Sequence, residues 1–301
     1  MQKSISVIIP YYRGRKFIGK CIDSIFESYR NCNVNFDLEV IVVLDGFGQE
    51  DLDYLRTRYD NKVNIIKNEK NLGVAQSRNI GKKHAQNDFL LFIDQDDFVD
   101  INYFSVTLPL LNGRWDMIVV NGYYLNAKNS KKIPIYYFKP NLIFDSFLKK
   151  TRIHTPGQIL INSKSFPYDN FFPDCDKQYK GADDRAAYIN AYIKNKEIQF
   201  KYIDEKLLYH VLHEENFSKN ILIGLKSGIS MCEYFMDKVS AKRRRLLQCS
   251  INRAKLEIEI LRTSSIIVAV MRHPCLFYGY VRCVLDLNKI IGLIHKRLIS
   301  Y

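Results

Sequence analysis

Apolar residues along this chain follow two rhythms. Ser4 to Pro10 (SISVIIP), Leu38 to Leu44 (LEVIVVL), Val63 to Ile66 and Phe89 to Ile93 are short continuous runs of strand length. Such runs read as strands buried on both faces. Between them, Arg15 to Tyr29 places Phe17, Ile18, Cys21, Ile22, Ile25 and Phe26 at helical spacing, and Asp51 to Tyr59 reads as a short helix. Asn71-Leu72-Gly73-Val74 forms a cap-like turn into a helix reaching about His84. Strand and helix alternate over the first hundred residues, which predicts an α/β fold with a doubly wound, mostly parallel sheet flanked by helices.

Further along, Asp116 to Tyr124 reads as a strand, Ile143 to Lys149 as a short helix and Gln158 to Ile161 as a strand. Gly181-Ala182-Asp183-Asp184 opens a helix to about Lys194, and strands near Ile198 to Ile203 and Lys206 to His210 close the domain. Aromatic clusters at Tyr136 to Phe138 and Phe171-Phe172 suit either core packing or the wall of a substrate pocket. From Ile221 the pattern is wholly helical, so the expected organisation is a domain over 1–218 and a helical extension over 219–301. Leu276 to Leu298 keeps apolar residues at helical spacing, with Arg282, Lys289 and Lys296 on another face. That pattern fits a helix lying on an anionic membrane and equally a helix packed on the main domain.

Charge sharpens this division. The formal net charge is +13, and from Lys219 onward 15 Lys and Arg face only 5 Asp and Glu. Lys242-Arg243-Arg244-Arg245 is the densest basic cluster. No apolar stretch approaches the roughly 20 residues of a membrane-spanning helix. The opening SISVIIP is too short for a secretory signal core, and seven scattered cysteines never form a CxxC pair. Reduced thiols, a cytoplasmic setting and at most peripheral membrane contact are therefore expected.

The chemistry gathers at strand ends. The run Phe89 to Ile93 terminates in Asp94, Asp96 and Asp97, at the carboxyl edge where open α/β sheets bind ligands. Carboxylates so close repel one another unless a cation sits among them, and hard oxygens suit Mg2+ or Mn2+ carrying a diphosphate. The same acids also suit a turn cap and the start of a helix. Pro10-Tyr11-Tyr12, Asp45-Gly46 and Arg78 fall at or after other strand ends.

In order and spacing, SVIIPYY, VLDG, NLGVAQSRNIG and FLLFIDQDD resemble the family 2 glycosyltransferases with their GT-A nucleotide-sugar fold. GADDR and YHVLHEENFS extend the resemblance. It implies that Pro10 and Tyr12 border the nucleoside and that Asp45 accepts a hydrogen bond from the base. Leu44 and Phe47 stand where the family has a flanking acid and a serine. Asn71 and Gly73 would contact the nucleotide sugar, and Arg78 would face its diphosphate. Asp94-Gln95-Asp96 would be the DxD motif, with Asp94 at the ribose or metal and Asp96 on the metal. Asp183-Asp184 falls where the family has Glu-Asp, making Asp184 the implied base. His213 would complete the metal or diphosphate site, and His210 stands at the family's arginine.

The resulting expectation is a metal-dependent, inverting glycosyltransferase that uses a nucleotide sugar, foremost a UDP-sugar. Its acceptor would be a glycan, lipid-linked in bacterial surface polysaccharide synthesis, with an anionic membrane surface and a second copy as further partners. A nucleotidyltransferase would need a phosphate loop after the first strand, and Arg13-Gly14-Arg15-Lys16 lacks the glycine pattern. The basic tail carries no nucleic-acid recognition motif, so nucleic acid is not an expected partner.

Overall fold

The structure, a computed structural model, describes residues 3–46, 48–175, 178–179, 181–216 and 220–277. Most of the expected helix over Leu276 to Leu298 therefore lies outside the described residues. The chain forms two compact units, each assembled from three separate segments.

The first unit comprises Met1–Lys139, Ile153–Phe172 and Asn195–Leu212. It opens with β1 (Ser4–Tyr11), α1 (Arg15–Arg30), β2 (Asp37–Leu44), α2 (Gln49–Tyr59), β3 (Asn64–Lys67), α3 (Val74–His84) and β4 (Phe89–Phe92). β1 is buried from Ile5 onward and pairs in parallel with β2 from Ser4↔Asp37 to Tyr11↔Leu44. On its other side it pairs in parallel with β4, from Ile5↔Phe89 to Ile8↔Phe92. The chain thus travels outward through β2 and β3, then returns across β1. This reversal is a topological switch point, which leaves a crevice beyond the carboxyl ends of β1 and β4.

α1 buries Ile18, Cys21, Ile22 and Ile25, the stripe read from the sequence. α3 lies so close to β1 that a Cβ on Gly81 would sit 2.3 Å from Cγ2 of Ile8. Any larger residue would push that helix away from the strand.

Beyond β4 the sheet changes character. β5 (Phe98–Val99), α4 (Tyr103–Thr107), β6 (Met117–Asn126), β7 (Lys132–Pro134), β8 (Ile159–Asn162) and β9 (Phe200–Leu212) complete this unit. Strand order is β3-β2-β1-β4-β8-β6-β9-β5, with β7 on β6. β8 runs antiparallel to β4 and to β6, and β9 runs parallel to β6. The sheet is therefore parallel through its first four strands and mixed thereafter.

The two strands expected at Ile198 to Ile203 and Lys206 to His210 are one strand, β9. Its register against β6 shifts around Asn121, whose amide donates to Asp204 Oδ1 at 2.8 Å. The polar pair Asp204-Glu205 is absorbed as a bulge instead of ending the strand. Phe171 and Phe172 pack on Phe92, with centroids 6.2 and 4.9 Å away, and both are buried. They belong to the core, not to a pocket wall.

The second unit holds Pro140–Arg152, Pro173–Lys194 and the chain from His213. Its helices are α5 (Phe144–Lys149), α6 (Asp183–Lys194), α7 (Ile221–Phe235), α8 (Ala241–Thr263) and α9 (Ile266–Arg272). Phe144 stacks on Tyr192 at 5.0 Å, and Phe147 meets Tyr188 at 5.7 Å. Arg243, from the basic cluster, pairs with Asp145 at 2.9 Å and covers the Phe144 ring at 4.4 Å. One of those four cations thus serves packing within this unit. The helical tail shares its unit with two mid-chain segments, a grouping that charge along the sequence does not reveal. No described helix is long and apolar enough to cross a membrane.

Candidate donor-binding site

Four chain segments meet at the crevice between β1 and β4. The first is the loop after β1. Pro10, next to last in β1, lies beyond the last rung with β4, where a missing N–H costs no ladder bond on that side. Tyr12, two residues on, is 43 % exposed. Its backbone N–H donates to Gln95 Oε1 at 2.9 Å, and Gln95 Nε2 donates back to the Tyr12 carbonyl at 3.0 Å. The residue between Asp94 and Asp96 therefore fastens the β1 loop to the end of β4. Gly14 leaves room for this clamp, since a Cβ there would lie 2.3 Å from Gln95 Cδ and would displace the Gln95 side chain.

The second segment follows β2. Asp45 is buried, and its two carboxylate oxygens accept from the backbone N–H of Leu72 at 2.7 Å and of Gly73 at 2.9 Å. Asn68 Nδ2 adds a third donor at 3.2 Å. Gly73 has φ of +91°, a conformation glycine adopts without steric penalty. Asp45 thus sets the turn that launches α3. Gly46 nests between Asn71 and the Tyr12 ring, where a Cβ would meet them at 3.3 and 3.4 Å. Tyr12, Asp45 and Asn71 are in this way brought together.

The third is α3, which carries Arg78. Although charged, Arg78 is only 2 % exposed. It donates to Asp94 Oδ1 at 2.5 Å and lies over the Phe172 ring at 5.1 Å. Burial pushes the Asp94 carboxyl up, and Asp97 and Asp96 add to this against the opposing Arg78 charge, leaving it at about 6. Half-buried Asp96 stands two residues on.

The fourth is β9. Asp97 is fully buried and accepts from Thr155 Oγ1 at 2.7 Å, the Val211 N–H at 3.0 Å and His210 Nδ1 at 2.9 Å. Burial pulls the His210 imidazole down, but Asp97, followed by Asp94 and Asp96, reverses this and pushes it up to about 9. His210 is therefore an imidazolium at neutral pH. Tyr124 packs edgewise on it at 5.6 Å and bonds His154 at 2.7 Å. The locking roles of Gln95, Asp97 and His210 escaped the sequence reading. Their signals were the one polar residue between the motif acids and a third acid directly after it.

The remaining predicted residues lie in the second unit. Asp183 and Asp184 occupy the first turn of α6, both half-buried. Half-buried His213 follows β9, and its backbone N–H donates to the Asn216 side chain. Among the described residues no three His, Cys, Asp or Glu side chains are spaced to hold a metal ion. Asp94 and Asp96 nonetheless provide hard oxygens, and a cation carried by a diphosphate needs only one or two protein carboxylates.

This architecture has solved counterparts. The crystal structure of Staphylococcus aureus TarS residues 1–349 superposes with a TM-score of 0.61 at 17% identity, covering 95% of this chain and 81% of that one. The same TarS fragment bound to UDP-GlcNAc gives 0.63 at 16% identity, covering 94% and 80%. A mannosyltransferase from Pyrobaculum calidifontis, in complex with GDP-Man and Mn2+, gives 0.59 at 12% identity, covering 100% and 81%. The fold is thus that of the GT-A glycosyltransferases.

Sequence comparison narrows the class. The profile of "Glycosyl transferase family 2" matches residues 6–166, and the chain belongs to that family. Streptococcus pneumoniae glycosyltransferase GlyA is 27% identical over 150 residues, 48% of this chain and 20% of that protein. Staphylococcus aureus TarS, a poly(ribitol-phosphate) beta-N-acetylglucosaminyltransferase, is 24% identical over 219 residues, 70% of this chain and 36% of that protein. The chain therefore spans well under two thirds of these relatives.

Proposed function

We propose that this chain transfers a sugar from a nucleotide-diphosphate sugar, foremost a UDP-sugar, to a glycan hydroxyl with inversion at the anomeric carbon. The observation that carries this reading is the junction at the switch point, where Gln95 fastens the β1 loop and Arg78 holds Asp94 beside Asp96. Pro10, Tyr12, Asp45, Asn71 and Gly73 form the nucleoside and diphosphate border. Asp94 and Asp96 are the residues that would hold Mn2+ or Mg2+, with His213 beside the diphosphate. Such a cation offsets the charge that grows on a departing diphosphate.

Asp184 is the general base in this reading, with Asp183 beside it. An acceptor hydroxyl is a weak nucleophile until a carboxylate takes its proton during attack. One base opposite the leaving group gives a single displacement, hence inversion. The TarS complex with UDP-GlcNAc supports a UDP-sugar, and the poly(ribitol-phosphate) in the name of TarS supports a polymer rich in hydroxyls as acceptor class. The basic tail, with 15 Lys and Arg after residue 218, favours an acceptor held at an anionic cytoplasmic membrane surface. A second copy of the chain is a further partner in this reading.

The test is turnover and binding across UDP-, GDP- and dTDP-sugars, with Mn2+ and with EDTA, for wild type and Asp96→Ala. Metal-dependent binding of one donor, lost in the variant, is the expected result. Equal donor binding by folded Asp96→Ala would refute the assignment of the metal site.

A further inference from the structure

The segment that carries Asp183 and Asp184 is gripped on both sides by the C-terminal helices. Upstream of the acids, the Gly181 N–H donates to Ser227 Oγ of α7 at 2.9 Å. Immediately after them, Arg185 is buried at 6 % exposure and donates through Nη2 to Ser250 Oγ of α8 at 3.1 Å. Its Nε and Nη2 also reach the carbonyls of Phe147 and Leu148, each at 2.8 Å. Those carbonyls sit in the last turn of α5, where helix acceptors lack intrahelical partners. Arg185 therefore ties three helices together one residue from Asp184.

The two serines are unusual for where they lie. Ser227 is 0 % exposed and Ser250 2 %, each on a helix face otherwise buried through apolar side chains such as Met231, Leu247 and Ile251. A hydroxyl in such a place costs free energy unless it is hydrogen-bonded, and alanine would fit with less penalty. Both hydroxyls are directed at the short stretch from Gly181 to Arg185.

We infer that Ser227, Ser250 and Arg185 are positioning residues for Asp184, so that the C-terminal helical region holds the catalytic base in register. This rests on the reading of Asp184 as the base. The helices after residue 220 then belong to the catalytic apparatus and are more than a basic appendage. Holding a reacting carboxylate within fractions of an ångström matters because a 1 Å misplacement costs on the order of 100-fold in rate.

The experiment compares Ser227→Ala, Ser250→Ala, the double variant and Asp184→Asn in the full chain. kcat, donor KM and donor affinity are measured at 25 °C, alongside Tm. The serine variants are expected to lose roughly 10-fold in kcat each and more together, with donor KM and affinity unchanged. A purely structural role would lower Tm and leave the kcat of the folded enzyme unaltered, and that result overturns the inference. The Asp184→Asn arm separates the two failures. Wild-type turnover there sinks the assignment of the base itself, whereas an inactive Asp184→Asn with fully active serine variants sinks only the positioning role. Arg185→Lys, which keeps the charge but not the forked geometry, is expected to behave like Ser250→Ala.

Discussion

The two units support their acids by different means. In the first, Asp45, Asp94 and Asp97 follow strands whose parallel register already places them along one edge, and loops then close over them. In the second, Asp183 and Asp184 begin a helix whose neighbours come from residues 147, 148, 227 and 250. A strand-end site is mostly a matter of backbone order, while a helix-start site depends on distant side chains. The first kind of support is expected to show in stability and donor binding. The second is expected to show in the rate of transfer.

The largest expected effect within the first unit is at Asp97. Asp97→Ala strands the His210 imidazolium without its carboxylate and removes the acceptor for Thr155 and Val211. Breaking a buried pair in this way costs about 3–5 kcal/mol. Urea unfolding measures it, and a loss below about 1 kcal/mol would mean that water replaces the pair.

The same pair gives a pH dependence of known sign. The folded His210 imidazole titrates at about 9, above its ordinary value near 6.5. Its stabilisation is therefore complete below about 6.5 and fades as pH rises through about 9. The groups facing it are Asp97, Asp94, Asp96 and the Tyr124 ring. Tm of the wild type should fall between pH 7 and 10 by more than that of His210→Gln, and parallel curves would exclude the ion pair as the source.

The smallest effect is at Gln95. Gln95→Ala removes two hydrogen bonds at a solvent-facing loop, worth about 1 kcal/mol in stability. Freed from its tie, the Tyr12 loop should raise donor KM several-fold with little change in kcat. A fall in kcat at constant donor KM would transfer Gln95 to the class of effects expected of the second unit.

Much of the first unit could be read directly from residue order. Phe89 to Ile93 had to be a buried strand, its acids had to follow it, and Gly73 had to open a turn. Lengths and periodicities therefore located the first four strands to within a residue or two, and the family motifs fell on their ends. The short elements β5, α4 and β7 carry too few residues to show a period, and two further features resisted local pattern. Asp204-Glu205 looked like the end of a strand because a local polar pair normally leaves the sheet, yet Asn121 holds it within β9. Phe171-Phe172 suited a core first and a pocket wall second, and hydrophobicity alone carries no address to decide between them.

By itself, then, the sequence determined which residues form the first four strands and the helices between them, the parallel direction of those strands and the acids that terminate them. These follow from local periodicity and from the rule that crossovers return strands in parallel. Only the tertiary structure decided that Gln95 clamps the first loop, that Asp97 and His210 pair in the interior, and that buried serines from the last helices grip the turn before and after Asp184. Those choices depend on contacts between residues 46 to 113 positions apart, and spacing along a chain encodes no such distances.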